Sequence, residues 1–572
     1  MGADGKNLYP SLTLHSNYLL TVFPVNKILK VHPSDDVVVA LADLKKEEEL
    51  ALDGEAYALA EDIPAKHKFA ARDFAPGDEI HMYGVLVGKA QSAIPKGSWL
   101  TTFNVKHAAS PMTVRDTQFA WMAPDVAKYA NTTFNGFHRS DGSVGTANYW
   151  LVVPLVFCEN RNILALKEAL TKALGYEAAT PYQDKVEKIL DMLAQGQEGA
   201  ILESTLPSAT KKRPTSSVFP NVDGIKFITH QMGCGGTRQD SRALCGLLAG
   251  YITHPNVAGA TVLSLGCQNA EETTLLEEIE KRVPGFDRPV HILNHQTLGS
   301  EEEVLDLALK QTLLGLKQAN ESVREEAPLS KLTVGLECGG SDGFSGISAN
   351  PTLGYFSDML VALQGKVILS EFPELCGVEQ NLADRCVDRP TAERFSHLMS
   401  TYSQRATAAG SGFDMNPSPG NIKDGLITDA IKSAGAAKKG GTSPVVDVID
   451  YPEKATKPGL TLLCTPGNDV ESTTAEVGSG ANVVLFTTGL GTPTGNPIAP
   501  VVKVASNTRL FDKMHDIMDF NTGDIIEGKE TIEAAAERLL DYVIAVASGE
   551  ATVKAVLNNQ DDFIPWKRGV SL

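Results

Sequence analysis

The stretch that spans residues 336–379 constrains the fold more than any other part of the sequence. An apolar segment ends at residues 334–336, a Gly-rich turn follows, and a helical pattern leads to a second apolar segment at 367–369. A strand–turn–helix–strand unit places the ends of both strands at one edge of a parallel sheet. Open α/β folds bind their ligands at that edge.

Chemically active side chains are concentrated after these two predicted strands. The edge carries a thiol, a hydroxyl and three carboxylates. Such a set is suited to holding a cation or moving a proton. The side chains are Cys338, Asp342, Ser370, Glu371 and Glu374.

The rest of the chain has the pattern of a multidomain α/β protein. Its 572 residues have room for three or four domains of about 150 residues each. Short strands between Pro-, Gly- and Asp-rich turns predict an all-β module at 28–107, after an extension at 1–27. A linker at 108–133 leads to two blocks, 134–325 and 326–572, in which alternating strands and helices predict parallel sheets.

Composition excludes several classes of protein. No apolar run reaches the ~20 residues of a membrane helix, and the first residues lack the pattern of a signal peptide. A net charge of −19 argues against a nucleic-acid partner. Eight cysteines without a C-x-x-C pair indicate reduced thiols. We therefore expect a cytoplasmic enzyme with no membrane partner.

Three predicted strand ends carry a cysteine in a Gly-rich turn, namely Cys234, Cys267 and Cys338. Thiolates at the carboxyl ends of parallel strands can converge on one metal ion. The structural alternative is a small, buried residue beside a tight turn. His230 is open to three interpretations, as a metal ligand, a general base or a histidine bonded to the backbone.

Glu371 and Glu374 flank Pro373 and are candidates for a metal-binding and acid–base pair, although a solvated loop would look the same. The Gly-rich turn at 233–236 lacks the G-x-G-x-x-G spacing, and the chain contains no P-loop. Backbone N–H groups in such turns suit a carboxylate, which favours a small acidic substrate over a dinucleotide. The candidate substrate-binding residues are Arg139, Asp141, Arg238, Ser341, Asp342, Ser345 and Asn350.

Longer motifs occur in order along the chain: KVHPSDDVVVAL, HKFA, GFHRSDGSVGT, THQMGCG, CGGSDGFSGISANPTLG, SEFPEL, NPSPGN, TPGND, FTTG and DFIPWKRGVSL. With these motifs the sequence resembles the altronate/galactarate dehydratase family of sugar-acid dehydratases over residues 28–572. Common ancestry does not by itself settle activity.

The resemblance implies a small β-clip (SAF-like) module, a middle domain that forms a homodimer and a C-terminal variant of the Rossmann fold. It also implies iron-dependent loss of water from a hydroxy acid, which gives a 2-keto-3-deoxy acid. Fe²⁺ or Mn²⁺ would acidify the α-proton and neutralise the departing hydroxide. On this interpretation Cys234, Cys267 and Cys338 bind the metal, and His230 takes the proton.

Five positions depart from the family pattern. Thr101 and Phe103 replace the histidines of a His-x-His-Asn segment, and Ala147 replaces an arginine. Cys464 replaces an aspartate, and Leu490 replaces a polar residue or an arginine. Phenylalanine, alanine and leucine cannot bind a metal or pair with a carboxylate. These differences favour a different, less hydroxylated acid as substrate.

Three functions remain open from the sequence. The first is a metal-dependent lyase for a hydroxy acid, with a sulfo-lyase as a variant, since the same enolising chemistry expels sulfite. The second is another α-proton reaction, such as an isomerisation. The third is a catalytically silent homologue, which would bind no transition metal.

Overall fold

The structure is a computed structural model that describes residues 26–116, 119–176, 181–206, 216 and 218–572. Residues 1–25 of the predicted extension lie outside the described ranges. Most of residues 204–217, a stretch rich in Ser, Thr, Lys and Pro, also lies outside them. No helix within the described ranges is long and apolar enough to cross a bilayer. The predicted fold class is confirmed, because an all-β module precedes α/β domains with parallel sheets.

The N-terminal module consists of short antiparallel strands in three small sheets, with the orders β1-β2-β5, β3-β4 and β6-β7-β8. Tight turns separate the strands, so the module packs a core of its own around Phe69 and Tyr57. The strands are β1 (Ile28–Leu29), β2 (Val37–Ala40), β3 (Glu49–Leu52), β4 (Glu55–Ala58), β5 (Lys68–Ala70), β6 (Glu79–Met82), β7 (Val85–Ala90) and β8 (Val105–Lys106).

This module docks on the C-terminal domain through the HKFA motif and the lysine directly before it, Lys66. Lys66 Nζ lies 3.0 Å from Asp342 Oδ2 and 2.9 Å from Asp424 Oδ1. Lys68 Nζ donates to the Gly425 carbonyl at 2.7 Å, and His67 Nε2 lies 3.1 Å from the Lys423 carbonyl. Burial of Lys68 lowers its pKa to about 7. The motif therefore holds two domains together.

The middle domain has a parallel sheet, β12-β11-β13-β14, and an antiparallel sheet, β10-β9-β15. The strands are β9 (Thr133–His138), β10 (Val144–Gly145), β11 (Tyr149–Pro154), β12 (Gly224–Phe227), β13 (Val257–Ser264), β14 (Val290–Asn294) and β15 (Arg324–Pro328). The helices are α1 (Asn160–Leu174), α2 (Pro181–Ala194), α3 (Arg238–Ile252), α4 (Glu272–Arg282), α5 (His295–Leu298) and α6 (Glu301–Ala319).

The C-terminal domain is built on seven parallel strands in the order β18-β19-β17-β16-β20-β21-β22. The strands are β16 (Thr333–Cys338), β17 (Lys366–Leu369), β18 (Val445–Asp450), β19 (Gly459–Cys464), β20 (Val483–Thr488), β21 (Val501–Ala505) and β22 (Phe520–Asn521). The helices are α7 (Ala349–Ala362), α8 (Glu379–Asp384), α9 (Arg389–Ala408), α10 (Pro419–Lys423), α11 (Asp429–Ala437), α12 (Asp469–Gly478), α13 (Thr508–Lys513), α14 (Gly523–Ile526), α15 (Ile532–Ala547) and α16 (Lys554–Leu557).

Trp150 is the anchor of the middle domain. Its side chain is fully buried, and its Nε1 donates to Thr261 Oγ1 at 3.1 Å. Gly315 on α6 lies against the indole so closely that a Cβ there would overlap the ring. The close approach of α6 to the sheet therefore depends on this glycine.

We expect Gly315→Ala to destabilise the protein by about 1–3 kcal/mol, because the added methyl group overpacks the core. In an exposed helix the same change would stabilise by up to about 1 kcal/mol. Urea unfolding followed by tryptophan fluorescence measures the effect. Gly199→Ala is the matched control, since a Cβ at Gly199 would meet no heavy atom within 4 Å. A neutral or stabilising Gly315→Ala would contradict this account of the packing.

Candidate active site at the carboxyl edge of the seven-stranded sheet

The carboxyl ends of the C-terminal parallel strands meet where the strand order reverses. From β16 the chain continues to β17 on one side, whereas β20 and β21 lie on the other side. Ligands of open α/β sheets bind at such a reversal. The CGGSD, SEFPEL, TPGND and TTG motifs all begin at or directly after a strand end on this edge.

Cys338, Glu371 and Glu374 form a buried cluster at this reversal. Their potential ligand atoms all lie within 4.8 Å of one another. Cys338 Sγ donates to Glu374 Oε2 at 3.1 Å and lies 3.4 Å from Glu371 Oε2. This grouping agrees with the edge predicted from the sequence.

Glu371 has an unusual backbone conformation. Its φ of 64° lies in the left-handed region, which is strained for a residue with a Cβ. Its N–H donates to Thr465 Oγ1 at 2.8 Å, which helps to hold the strained turn. Such strain persists only where surrounding structure fixes it, and it is concentrated at functional sites.

Two buried lysines neutralise the two carboxylates. Lys439 Nζ lies 2.8 Å from Glu371 Oε2, and both side chains are only 1% exposed. Lys432 Nζ lies 2.6 Å from Glu374 Oε1 and also donates to Asn416 Oδ1 at 2.7 Å. Burial alone would lower the pKa of both lysines, but the neighbouring acidic groups raise the two pKa values above their usual range. Both ammonium groups therefore stay charged.

Two further carboxyl groups lie beneath the cluster. Glu476 Oε1 accepts a hydrogen bond from Ser370 Oγ at 2.7 Å, and Ser370 Oγ also lies 3.3 Å from Glu337 Oε2. Burial raises the pKa of Glu476 to about 8, and burial together with Glu371 and Glu476 raises the pKa of Glu337 well above its usual range. These two acids are therefore neutral near pH 7, while Glu371 and Glu374 pair with the lysines.

The pKa values of Glu371 and Glu374 are displaced in opposite directions. Burial, with a contribution from Glu374, raises the pKa of Glu371. Burial also acts to raise the pKa of Glu374, but the Lys432 and Lys439 ammonium groups outweigh it and lower that pKa. Neighbouring carboxyl groups with divergent pKa values are typical of acid–base pairs in enzymes.

The donor set fits a divalent transition metal. A thiol and two carboxylates are suitable ligands, and Glu371 Oε1 is buried without a hydrogen-bond partner. Burial, Glu371 and Glu374 raise the pKa of the Cys338 thiol, so metal binding would release its proton. A second group of possible ligands, His107, Cys376 and Asp429, is less buried.

The predicted role of His230 as a base is not supported by its contacts. Its Nε2 donates to the Pro154 carbonyl at 2.8 Å, and its Nδ1 accepts from the Met232 N–H at 3.2 Å. Burial lowers the pKa of His230 to about 4. Both ring nitrogens are thus engaged by the backbone, which corresponds to the structural interpretation.

The structure does not bring the three predicted cysteines, Cys234, Cys267 and Cys338, together. Cys338 is buried with Glu371 and Glu374, whereas Cys234 and Cys267 are exposed at the edge of the middle-domain sheet. Their neighbour there is Cys158, which the sequence analysis passed over. Similar strand–turn patterns occur in both sheets. The sequence pattern therefore did not show that Cys338 belongs to a different sheet from Cys234 and Cys267.

Several predicted substrate-binding residues serve the scaffold instead. Asp342 is fully buried and accepts hydrogen bonds from the Ser345 N–H and the Ser506 hydroxyl, both at 2.9 Å. Asn350 joins the Thr487 hydroxyl to the Gly435 carbonyl. Protein contacts thus engage Asp342, Ser345 and Asn350, whereas the contact of Ser341 is made by its backbone carbonyl, which accepts from the Asn421 amide at 2.8 Å.

The three remaining candidates lie in the middle domain. Arg139 is half-buried and donates to the Pro255 carbonyl at 2.8 Å and to Asn148 Oδ1 at 3.0 Å. Asp141 accepts from the Ser143 N–H at 2.9 Å within a turn. The Arg238 side chain is 80% exposed and lies 4.0 Å from Glu271. We find no contact between any of the three and the Cys338 cluster.

The five departures from the family pattern lie at different distances from the site. The Leu490 N–H donates to the Gly340 carbonyl at 2.9 Å, so this apolar residue lines the edge of the site. Cys464 ends β19, directly before Thr465. Phe103 is 91% exposed, Thr101 bonds to its own turn, and Ala147 is buried in the middle domain.

Sequence reasoning missed the two lysines. Lys432 lies on α11 and Lys439 follows it in a turn, both among small apolar residues. A lysine within an otherwise apolar helical pattern is a signal for a buried ion pair, because lysine is almost never fully buried without a partner.

We expect Lys439→Met to destabilise the protein by about 3–5 kcal/mol, because it leaves the Glu371 carboxylate buried without its partner. The double variant Lys439→Met/Glu371→Gln should recover most of this loss. Urea unfolding of the two variants measures the coupling. Lys310→Met on exposed α6 is the control and should stay within about 0.5 kcal/mol of the parent. Equal losses in the single and the double variant would contradict a buried ion pair.

Three family models match the chain in succession. The altronate/galactarate dehydratase SAF domain matches residues 26–108. The D-galactarate dehydratase/altronate hydrolase second domain matches residues 136–320. The D-galactarate/altronate dehydratase C-terminal domain matches residues 329–571, which include the Cys338 cluster.

Similar proteins match over nearly their full length. An altronate dehydratase from Bacillus subtilis (strain 168) is 34% identical over 556 residues, which cover 96% of this chain and 100% of the relative. An altronate dehydratase from Escherichia coli (strain K12) is 32% identical over 95% of this chain and 99% of the relative. A galactarate dehydratase (L-threo-forming) from the same strain is 31% identical over 92% of this chain and 94% of the relative. This chain belongs to the altronate/galactarate dehydratase family.

Proposed function

We propose that the protein is a metal-dependent hydro-lyase that removes water from a hydroxy or sugar acid and forms a 2-keto-3-deoxy acid. The observation that carries this proposal is the buried set of Cys338, Glu371 and Glu374, paired with Lys432 and Lys439 at the reversal of the strand order. Relatives of nearly the same length are altronate and galactarate dehydratases.

Cys338 and Glu371 are the proposed metal ligands from the cluster, and Fe²⁺ or Mn²⁺ is the proposed metal. When bound, such an ion polarises the substrate carboxylate and stabilises charge on the departing hydroxide. The thiol, two carboxylates and the unpartnered Glu371 Oε1 support a transition metal rather than Mg²⁺, which prefers oxygen ligands alone.

The chain's own groups provide the acid–base chemistry. Elimination requires a base for the α-proton and an acid for the leaving hydroxyl. The lowered pKa of Glu374 makes its carboxylate the candidate base, and a metal held by Cys338 and Glu371 would neutralise the leaving hydroxyl. The ammonium groups of Lys432 and Lys439 are fixed charges that can stabilise an enediolate in a site from which water is excluded.

The substrate is expected to differ from altronate and galactarate in its hydroxyl pattern. Leu490 offers a hydrophobic contact beside the Gly340 turn, where the family pattern has a polar residue or an arginine. Phe103 is exposed and contributes no polar group to a neighbouring domain. An acid with fewer hydroxyl groups at the end that contacts Leu490 would fit this apolar surface better.

The assembly is a further part of the proposal. We place the domain boundaries at 28–107, 134–325 and 326–572, with the middle domain as the contact in a cytoplasmic homodimer. The positions of the three family matches support this division. Light scattering on the purified protein measures the oligomeric state.

The test is an anaerobic assay for 2-keto acid formation with ferrous or manganous ion and a panel of aldonic, aldaric and sulfonated hydroxy acids. We expect turnover of at least one hydroxy acid. Mass spectrometry of the product distinguishes loss of water from loss of sulfite and from isomerisation. No turnover of any acid, together with no bound transition metal, would overturn the proposal in favour of a silent homologue.

Two variants connect this activity to the cluster. We expect Cys338→Ser and Lys432→Met each to lower kcat by at least about 100-fold, the scale on which positioned acid–base and electrostatic groups act. Cys386→Ala is the matched control, because its buried thiol donates to the Leu382 carbonyl of the preceding helix α8 and lies outside the cluster. Parent-like activity in Lys432→Met would contradict the proposed role of the lysine.

A further inference from the structure

Three exposed cysteines lie at the carboxyl edge of the middle-domain sheet, separate from the Cys338 cluster. Cys234 follows β12, Cys158 follows β11 and Cys267 follows β13, and these strands are adjacent and parallel in the order β12-β11-β13. All eight cysteines of the chain lie within the described residues, and the exposed ones are these three. Adjacency in the sheet brings the three loops together.

Backbone hydrogen bonds fix the three loops to one another. The Phe157 N–H donates to the Met232 carbonyl at 3.0 Å, which ties the Cys158 loop to the Cys234 loop. The Ala270 N–H donates to the Gly233 carbonyl at 3.0 Å, which ties the Cys267 loop to the same turn. Gly233 has a φ of 103°, and a Cβ there would overlap the Leu155 carbonyl. The loops thus approach each other in a manner that only glycine allows.

Each cysteine also lies just before a helix. Helices α1, α3 and α4 begin at Asn160, Arg238 and Glu272, two to five residues beyond the respective cysteines. Their N-termini carry partial positive charge. Positive charge of this kind favours thiolates over thiols, and it also favours an anionic group bound by them.

Neighbouring side chains support the cysteine loops. Gln296 Nε2 donates to Cys267 Sγ at 3.2 Å. His295 Nδ1 donates to the buried Glu159 at 2.9 Å, directly beside Cys158. His230 bonds the backbone at both ring nitrogens within the Cys234 turn. A donor to a cysteine sulfur is a feature by which proteins tune thiolate-bound iron.

At least one pair of the three sulfurs lies farther apart than the thiolate ligands of a single metal ion. Three thiolates on one tetrahedral ion, each about 2.3 Å from it, lie within about 4 Å of one another. Among the described residues, the triads whose ligand atoms lie within 4.8 Å include Cys338, Glu371 and Glu374 but not these three cysteines. The hydrogen bonds from the Phe157 and Ala270 N–H groups to the Cys234 turn nevertheless hold the three loops side by side.

We propose that Cys158, Cys234 and Cys267 hold an iron–sulfur cluster, with three protein thiolates and one iron open to solvent. The iron atoms of a cluster occupy separate corners, so its cysteine ligands stand farther apart than those of a single ion. Exposure of all three thiols leaves room for the inorganic core and for a small ligand on the open iron. This inference goes beyond the proposed dehydration and does not depend on it.

The test begins with full-length protein purified without oxygen and reconstituted with ferrous iron and inorganic sulfide. Iron and acid-labile sulfide are quantified, and the visible charge-transfer absorption and the electron paramagnetic resonance spectrum are recorded. We expect labile sulfide that falls to background in each of Cys158→Ser, Cys234→Ser and Cys267→Ser, together with loss of all iron beyond the single ion proposed for the Cys338 site. Cys386→Ser is the control and should retain both iron and sulfide, and Cys338→Ser should retain the labile sulfide because it alters the other site.

A second variant guards against loss of the cluster through misfolding. Gln296→Leu removes the N–H···S bond to Cys267 and leaves every cysteine in place. We expect it to retain the cluster with a lowered reduction potential, since a donor to the sulfur stabilises the reduced state. An unchanged potential would show that Gln296 does not face a cluster ligand and would count against the assignment.

Three results would overturn the inference. They are iron or zinc bound without labile sulfide, the absence of any metal after reconstitution, and a disulfide between two of the three cysteines in the anaerobic protein. The dehydratase assay gives an independent result. Activity without labile sulfide would overturn the cluster alone, whereas labile sulfide without activity would overturn the proposed function alone.

Discussion

Electroneutrality of the buried carboxyl–lysine cluster is the constraint on which the C-terminal domain depends. Four carboxyl groups lie there without contact with solvent, and each would be costly to bury as an isolated charge. The structure meets this cost in two ways. Glu337 and Glu476 have raised pKa values and stay neutral, while Glu371 and Glu374 pair with Lys439 and Lys432. Reactive groups can therefore be held away from water.

Contacts from the N-terminal module help to hold the carboxyl edge of the seven-stranded sheet in place. Asp342, in the loop after β16, receives the hydroxyls of Ser345 and Ser506 and the ammonium group of Lys66 from the β-clip module. The β-clip is thereby fixed to the loop that follows Cys338. The polar residues of this loop act as a scaffold, while the chemistry is left to side chains on β16 and on the turn after β17.

Much of the fold could be predicted from the sequence, because periodicity along the chain is strong. The strand–turn–helix–strand unit that begins with the strand ending near residue 336 was placed correctly, as β16, α7 and β17. The juxtaposition of Cys338 with Glu371 and Glu374 followed from strand ends sharing one edge. Local patterns do not state which sheet a strand joins, so Cys234 and Cys267 were assigned to the wrong partner. The lysines were missed because their role depends on burial, which arises from packing between distant segments.

The left-handed backbone of Glu371 has a consequence for evolution and for engineering. Holding such a conformation costs of order 1–3 kcal/mol, which a glycine at the same position would avoid. Glycine alone would not be gained at this position, because it would leave the Lys439 ammonium group buried without its partner at a cost of about 3–5 kcal/mol. A library ranked only by thermal stability would therefore recover glycine at position 371 only together with an uncharged residue at position 439. A paired change at these two positions is thus the expected sign of a relative that keeps the fold without the chemistry.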